Sequence, residues 1–273
     1  MKTSVIITTY NSPLHLKKVL LGLANQTDTE FDVVIADDGS TQETAHMLDA
    51  YREEAPYEIY HIWHEDLGPR KCTILNKAIL EAPGEYLVFL DGDCVPQKNM
   101  IAVHKKYARK DRYVTGGAVC LTQEFTDALS EDDIRNQKLE KFGLWWFGTT
   151  RPRRLIISKF PSLAYKFDRN VKRLPGWRGG NASTFKSCLM DINGFDERFS
   201  IGREDADTGH RLECNGVLGF SVRYTTPVYH LEHARGYSTP KSYVEGKTNV
   251  DIYDENRAAK LTYTPYGIKK SDS

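Results

Sequence analysis

The first 120 residues alternate between short apolar runs and longer segments with helical periodicity. Four strands are predicted, within SVIITTY, FDVVIADDGS, YEIYHIWHE and EYLVFLDGD. Between the first two, Leu16, Val19, Leu20 and Leu23 recur at i, i+3, i+4 and i+7, which predicts one buried face of a helix. Strands that alternate with helices form right-handed βαβ units. The pattern therefore predicts an α/β fold with a mostly parallel sheet covered by helices on both faces.

Three of the predicted strands end in polar residues. They are Thr8-Thr9-Tyr10-Asn11, Asp37-Asp38-Gly39-Ser40 and Asp91-Gly92-Asp93. Ligands of open parallel sheets bind outside the carboxyl ends of the strands. A turn explains one such motif, whereas three motifs along one edge favour a binding site there.

The Asp91-Gly92-Asp93 tripeptide by itself has two interpretations. Asp and Gly are ordinary turn residues, so the motif fits a polar turn after an edge strand. Two neighbouring carboxylates also repel each other unless a cation lies between them, and carboxylate oxygens are the preferred ligands of hard cations. The tripeptide alone leaves both interpretations open.

Composition excludes several classes of protein. The 37 basic and 37 acidic side chains cancel, so no overall field attracts the chain to nucleic acid. The five cysteines are odd in number and lack C-x-x-C spacing, which argues against a disulfide scaffold or a zinc ribbon and favours a reducing compartment. The apolar run after Met1 is too short for a signal peptide, and none is long enough to cross a membrane. We expect a cytoplasmic protein.

Beyond Cys120 the character of the chain changes. Residues 122–140 are acidic and polar, and residues 151–178 contain nine Lys or Arg against one acid, Asp168. This basic segment follows Trp145 and Trp146. It could contact an anionic glycan or the headgroups at the inner face of a membrane, or it could be a solvated loop. The tail beyond Thr239 is polar, and we expect it to lie over the surface.

Six motifs occur in an order that resembles a known family. TTYN, ADDGS, DGD, GGNAS, GFDERF and REDADTGHRL together are similar to the GT-A glycosyltransferases of family 2. The downstream motifs resemble the galactosyltransferase and chondroitin-polymerase type. The resemblance covers residues 3–235. It implies one GT-A domain over 1–273, with a nucleotide-sugar-binding half (1–120), an acceptor half (121–239) and a tail (240–273).

The resemblance implies a divalent metal site. Asp93 and His230, in VYHLEH, match the positions of metal ligands in metal-dependent relatives, and His233 is a less favoured substitute for His230. Carboxylate and imidazole ligands together suit Mn²⁺, with Mg²⁺ as the alternative. Such a cation would neutralise the charge of the departing diphosphate.

The resemblance also assigns a donor site. Asp38 matches an aspartate that hydrogen-bonds a pyrimidine base, which favours a UDP-sugar. The full set of predicted donor contacts is Thr8, Tyr10, Asn11, Asp38, Arg70, Asp91, Gly180 and Asn181. For Arg70 the alternative interpretation is a solvated residue at the start of a helix. For Gly179-Gly180-Asn181 the alternative is a plain turn.

Catalysis is expected at REDAD. Asp205 matches the catalytic base of the family, which accepts a proton from the acceptor hydroxyl in an inverting transfer. Glu204 would contact hydroxyl groups of the acceptor or the donor sugar. Acidic residues also stabilise the first turn of a helix, which is the alternative interpretation. Relatives often have W-G-G-E-D where this chain has Ile201-Gly202-Arg203 before the two acids, and this departure bears on sugar preference.

The resemblance therefore implies a metal-dependent, inverting glycosyltransferase that acts on a glycan or glycolipid acceptor, with bacterial surface polysaccharide or lipopolysaccharide synthesis as the setting. Two other classes of protein fit the sequence less well. A sugar-nucleotide pyrophosphorylase needs a glycine- and arginine-rich loop after the first strand, which TTYNSPLHL does not supply. A non-catalytic carbohydrate-binding relative would be expected to lose carboxylates, yet Asp91, Asp93, Glu204 and Asp205 are all present.

Overall fold

A computed structural model of the chain describes residues 1–141, 149, 152–170, 175–233 and 246–270. In its first part strands and helices alternate as the sequence predicts. The elements are β1 (Thr3–Thr9), α1 (Pro13–Ala24), β2 (Asp32–Asp37), α2 (Gln42–Arg52), β3 (Ile59–Trp63), α3 (Lys71–Glu81) and β4 (Tyr86–Asp91).

The second part mixes short helices with short strands. Its elements are β5 (Cys94–Val95), α4 (Met100–Lys106), β6 (Arg112–Thr115), β7 (Ala118–Cys120), α5 (Gln123–Ala128), α6 (Glu131–Arg135), a 3₁₀ turn (Lys138–Glu140), α7 (Pro152–Ser158), α8 (Pro161–Arg169), β8 (Ala182–Phe185), α9 (Lys186–Asp191), α10 (Glu204–Cys214), β9 (Leu218–Ser221), β10 (Val228–His230) and α11 (Asn249–Ala258).

A seven-stranded sheet with the order β3-β2-β1-β4-β8-β6-β9 forms the centre of the fold. The strands β1, β2, β3 and β4 run parallel, and β8 is antiparallel to both of its neighbours. A second sheet has the order β5-β10-β7. The predicted α/β class with a mostly parallel sheet is confirmed.

Apolar side chains fill both faces of the large sheet. Val5 and Ile7 belong to the buried cluster under α1 and α2, whereas Ile6 joins the cluster under α3 and α10. This alternation follows from the two-residue period of a strand. The predicted helix face is also confirmed, since Leu16, Val19, Leu20 and Leu23 are all buried.

The register of the strands brings the polar strand ends together. Thr8 pairs with Asp91 of β4, and Thr9 pairs with Asp37 of β2. The carboxyl ends of these three strands therefore meet at one edge of the sheet, as the sequence predicts. We call this edge, with the loops that follow the strands, the rim.

The C-terminal tail differs from the prediction. Residues 246–270 do not merely lie over the surface, because Ile252 of α11 is buried in the core. The amide of Asn193 donates hydrogen bonds to the carbonyl oxygens of Thr264 and Lys269. Although its composition is polar, the tail contributes one buried apolar residue, Ile252, and backbone carbonyl groups that accept hydrogen bonds from Asn193.

The stretch before His230 and His233 is not one continuous strand. It divides into β9 and β10, which belong to different sheets. The break follows Ser221, where Asp168 accepts hydrogen bonds from the backbone N–H groups of Tyr224 and Thr225. Along the described ranges, no helix has the length and apolar character needed to cross a membrane. Trp145, Trp146, Arg151, Lys172 and Arg173 of the basic segment lie outside the described residues.

Candidate active site

Asp91 occupies the end of β4 at the centre of the rim. Its Oδ1 atom accepts a hydrogen bond from the hydroxyl of Thr8 at 2.9 Å and one from Nζ of Lys71 at 3.1 Å. Thr8 comes from the neighbouring strand and Lys71 from the first turn of α3. These two donors satisfy one carboxylate oxygen and set the orientation of the side chain.

Lys71 connects β4 with α10. Its Nζ atom lies 3.9 Å from Oε1 of Glu204, the first residue of α10. Burial lowers the pKa of Lys71, but Asp91, Glu204 and Asp205 outweigh burial and raise the pKa well above its ordinary value. The lysine is therefore charged throughout the physiological range.

Asp205 lies beside this ion pair. Its Oδ2 atom accepts a hydrogen bond of 2.9 Å from the backbone N–H of Gly179. Burial, Glu204 and Asp91 raise the pKa of Asp205 to about 7, although Lys71 and the Gly179 N–H act in the opposite direction. A carboxyl group with a pKa near neutrality is suited to accept a proton from a hydroxyl group.

Two adjacent glycines allow the backbone to approach both carboxylates. A Cβ atom at Gly180 would lie 2.6 Å from Oδ2 of Asp91, and one at Gly179 would lie 2.9 Å from Oδ1 of Asp205. Real Cβ atoms are rarely this close to an oxygen, so any larger residue would displace a carboxylate. A larger residue at either position would therefore change the position of a carboxylate at the rim.

Asn181 faces the interior rather than the rim. Its side chain is buried and donates hydrogen bonds to the carbonyl oxygens of Gly117 and Thr226, at 3.1 and 3.0 Å. Its Oδ1 atom lies 2.9 Å from Nε2 of His104. These contacts use the whole amide group and anchor the two glycines, so the amide supports the loop in this structure, and the donor contact of Asn181 stays a prediction.

Asp93 lies next to two histidines. Its Oδ2 atom is 2.9 Å from Nε2 of His233 and 3.5 Å from Nε2 of His230. Burial raises the pKa of Asp93, but the two histidines and the Cys94 thiol outweigh burial, and the pKa lies below its ordinary value. Of the two candidate histidines, His233 is the closer to the carboxylate.

These three side chains fit a divalent cation. One ligand atom from each of Asp93, His230 and His233 lies within 4.8 Å of the others, and a second such group comprises Asp91, Asp93 and Cys94. Oxygen and imidazole nitrogen together suit Mn²⁺ better than Mg²⁺, which prefers oxygen ligands.

Asp38 is held at the end of β2 by two donors. Its Oδ1 atom lies 2.7 Å from Nε2 of His64, and its Oδ2 atom accepts a hydrogen bond of 3.0 Å from the backbone N–H of Arg70. The guanidinium of Arg70 donates to the carbonyl oxygen of Glu65. Burial raises the pKa of Asp38, although His64 and Arg70 oppose the shift.

Tyr10 and Asn11 form the outer part of the rim. The Tyr10 hydroxyl donates a hydrogen bond of 2.9 Å to Asp66, and its ring is exposed. Asn11 has a φ of 45°, a left-handed conformation that asparagine tolerates better than most residues. Its N–H donates to the Ser40 hydroxyl at 2.8 Å, and its Oδ1 atom accepts from the Thr41 N–H at 2.9 Å. Asn11 therefore links the ends of β1 and β2.

The sequence pattern alone missed Lys71 and His64, and it ranked His233 below His230. One feature of the sequence could have identified Lys71 as a functional residue. A cation in the first turn of a helix is unfavourable beside the helix dipole, so its position calls for another reason. His64 carries no comparable signal, because its contact with Asp38 joins residues 26 positions apart.

Comparison with known proteins assigns the family. The sequence model of Glycosyl transferase family 2 matches residues 4–158, which is more than half of the chain. The chain belongs to this family. The match includes β1, β2 and β4 with their polar ends.

Curated relatives extend the similarity into the second half. An uncharacterized glycosyltransferase, YfnE of Bacillus subtilis, is 38% identical over 266 residues, which cover 85% of this chain and 65% of YfnE. Chondroitin synthase of Pasteurella multocida is 26% identical over 253 residues, or 84% of this chain and 24% of that protein. The chain thus spans less than two thirds of the length of either of these relatives.

Solved structures share the GT-A fold. TarS of Staphylococcus aureus in complex with UDP-GlcNAc superimposes with a TM-score of 0.57 at 21% identity, over 95% of this chain and 69% of that one. The mannosyltransferase PcManGT from Pyrobaculum calidifontis, in complex with GDP-Man and Mn²⁺, gives 0.56 at 20% identity, over 86% and 58%. The predicted fold is confirmed.

Proposed function

We propose that this protein transfers a sugar from a nucleotide-sugar donor to a hydroxyl group of a glycan or glycolipid acceptor, with inversion at the anomeric carbon. One observation carries the proposal. Within a family 2 fold, the carboxylates at the end of β4 and at the start of α10 meet at the rim and share contacts with Lys71. A donor bound by the first group would present its sugar to a base in the second.

Asp205 is proposed as the catalytic base. The N–H of Gly179 donates a hydrogen bond to Oδ2 of Asp205, which leaves Oδ1 available for an incoming hydroxyl. Attack by that hydroxyl forms the new glycosidic bond as the bond to the diphosphate breaks, and Asp205 takes the proton. Glu204 is proposed to bind a substrate hydroxyl, because its Oε2 atom is buried without a hydrogen-bond partner among the described residues.

Asp93, His233 and His230 are proposed to hold Mn²⁺, with Mg²⁺ as the alternative. When bound, the cation would neutralise the charge that develops on the diphosphate leaving group. Asp91 is proposed to contact the donor rather than the metal, since Thr8 and Lys71 already hold one of its oxygens. The Mn²⁺ in PcManGT supports the choice of metal.

The donor is proposed to be a UDP-sugar. Asp38 would accept a hydrogen bond from the base, with His64 and the Arg70 N–H setting its orientation. Thr8, Tyr10 and Asn11 would line the base and the ribose, and Gly180 would adjoin the sugar. The UDP-GlcNAc bound to TarS supports this donor class, whereas the GDP-Man of PcManGT represents the alternative base.

The acceptor side is proposed to include the basic segment. Along α7 and α8, Arg153 and Lys166 are exposed, and the single acid, Asp168, is buried. Phe160 and Leu163 are 53% and 42% exposed on the same hairpin. Exposed apolar groups among cations suit the anionic inner face of a membrane. We propose a cytoplasmic enzyme that meets a lipid-linked acceptor there, in bacterial surface polysaccharide synthesis.

A donor panel tests the proposal without knowledge of the acceptor. The chain is incubated with UDP- and GDP-sugars in Mn²⁺, and release of the nucleotide is measured with and without chelator. We expect slow hydrolysis of one or a few UDP-sugars, lost on chelation. Calorimetric titration with UDP and GDP provides the binding arm, and tighter binding of GDP would contradict the proposed base. Full hydrolysis in chelator would contradict the metal site.

A further inference from the structure

Lys71 occupies a position that helix stability does not explain. It is the first residue of α3, where the positive end of the helix dipole disfavours a cation. Its side chain is only 26% exposed, so its ammonium group has lost most of its water. The compensation comes from carboxylates of two other elements, at the end of β4 and the start of α10.

The distances define what the ammonium group does. Nζ donates to Oδ1 of Asp91 at 3.1 Å and lies 3.9 Å from Oε1 of Glu204. Without Lys71, the carboxylates of Asp91 and Glu204 and the adjacent Asp205 would lack their common counter-charge. Like charges at this separation disfavour ionisation of one of the group.

We propose that Lys71 is a positioning residue, which ties the donor-side carboxylate Asp91 to the acceptor-side pair Glu204 and Asp205 and keeps the base ionised at the moment of transfer. This inference rests on the proposed function for the role of Asp205 as base. The contacts of Lys71 with Asp91 and Glu204 do not depend on the proposed function.

The charged and titratable groups around Asp205 explain why Lys71 controls its ionisation. Lys71 and Cys72 face it from α3, Asp91 from β4 and Glu204 from its own helix. Of these, Lys71 alone carries a positive charge. The Gly179 N–H is a second favourable partner, but it is a fixed dipole of the backbone. Removal of the ammonium group therefore leaves the carboxylates uncompensated.

The test observes Asp205 directly. The ¹³Cγ resonance of Asp205, assigned by its loss in Asp205→Asn, is followed between pH 4 and 10 in wild type and in Lys71→Met, without metal or donor. We expect the midpoint to rise by about one pH unit or more in Lys71→Met, and to return close to wild type in Lys71→Arg. Lys77→Met is the matched control, because Lys77 is an exposed lysine of the same helix.

The outcomes separate the alternatives. An unmoved Asp205 midpoint in folded Lys71→Met overturns the proposal. If that variant does not fold, the wild type still decides, because the ¹³Cε resonance of Lys71 should shift at the Asp205 midpoint, and no such shift would overturn the proposal. A tenfold loss of UDP affinity in Mn²⁺ with an unmoved midpoint would make Lys71 a donor ligand instead, which also overturns it.

Failure of the proposed function would appear elsewhere. If the wild type turns over no nucleotide-sugar, the transferase proposal fails, while the titration still reports whether Lys71 controls Asp205. If the wild type turns over the donor, the acid limb of the pH–rate profile should lie at higher pH in Lys71→Met than in the wild type. A rate that falls equally at every pH would overturn the positioning role.

Discussion

At the scale of single residues, two carboxylates of the rim have environments that shift their pKa values in opposite directions. Asp93 has a lowered pKa because histidines face it, whereas burial and neighbouring carboxylates raise the pKa of Asp205 to about 7. One carboxylate is therefore suited to hold a cation and the other to accept a proton. A pair of carboxyl groups with opposite pKa shifts is a common arrangement at catalytic sites.

Replacement of Asp205 by Asn should lower kcat by about 10²- to 10⁴-fold, since the amide keeps the shape but cannot accept a proton. Binding of UDP, measured by calorimetry in Mn²⁺, should stay close to wild type, because Asp38, Asp91 and Asp93 belong to other elements. Glu204→Gln is the control. If Glu204→Gln abolishes turnover and Asp205→Asn retains most of it, the base is the neighbouring residue.

The rate of transfer should depend on pH through Asp205. The raised pKa means that this carboxyl group is mostly protonated below pH 7, and a protonated group cannot act as a base. We expect kcat/KM to rise with pH along a limb with an apparent pKa near 7, and to fall about tenfold per unit below pH 6. Assays from pH 5 to 9 check this, and a limb near pH 4 would assign the ionisation to another group.

The two histidines beside Asp93 should contribute unequally to metal binding. His233 is the nearer to Asp93, so His233→Ala should weaken Mn²⁺ binding by at least about tenfold, and His230→Ala by a smaller factor. Manganese activation of donor hydrolysis and calorimetry provide the measurement. His46→Ala, a change in an exposed histidine of α2, is the control. Unchanged Mn²⁺ affinity in both variants would place the metal elsewhere.

At the scale of elements, the rim depends on a few supports below it. The loop with Gly179 and Gly180 is anchored by Asn181, whose amide meets His104 and two carbonyl groups. The start of α10 is held from the other side, where Asp207 accepts hydrogen bonds from Arg211 and from Asn256 of α11. The helix of the tail thus supports the element that carries the proposed base.

Gly180→Ala should impair catalysis with little effect on the fold. The new Cβ would lie 2.6 Å from Oδ2 of Asp91, so either that carboxylate or the loop must shift. We expect a loss of turnover of about 10²-fold, in line with the cost of misplacing a reacting group by about 1 Å. Gly176→Ala is the matched control, because its Cβ meets no atom within 4 Å. Equal activity of the two variants would remove the steric argument.

At the scale of the whole molecule, donor and acceptor functions are proposed for different segments of the chain. The residues proposed to bind the donor follow β1, β2 and β4, whereas the exposed cations belong to α7 and α8. A change on the helical hairpin should therefore affect encounter with the acceptor and leave the chemistry of the donor intact. The two effects can be measured separately.

Reversal of charge at Arg153 and Lys166 together should weaken binding to anionic vesicles by about tenfold or more. Each cation near an anionic surface contributes about 1 kcal/mol. Sedimentation with vesicles that contain phosphatidylserine measures binding, and donor hydrolysis should not change. Lys2→Glu with Lys77→Glu is the control, since both lysines are exposed and the change in net charge is the same. Equal binding of the two double variants would make the hairpin a solvated surface.

Much of the donor side could be read from the sequence, because its determinants are local. The period of apolar residues predicts which runs are strands and helices, and parallel connection sends the ends of β1, β2 and β4 to one edge. That rule places the strand ends with Thr8, Asp38, Asp91 and Asp93 at one edge, and the resemblance to family 2 implies a role for each. The start of α10 at Glu204 is likewise local, since acidic residues favour the first turn of a helix.

Only the tertiary structure brings Lys71 between Asp91 and Glu204, sets His233 nearer to Asp93 than His230, and turns Asn181 inward. These contacts join residues that are 20 to 140 positions apart. Their existence depends on how α3, α10 and the second sheet pack against β4, which no local pattern encodes. The same packing raises the pKa of Asp205. The sequence determined which edge carries the polar strand ends, and the packing decided the partners of each carboxylate there.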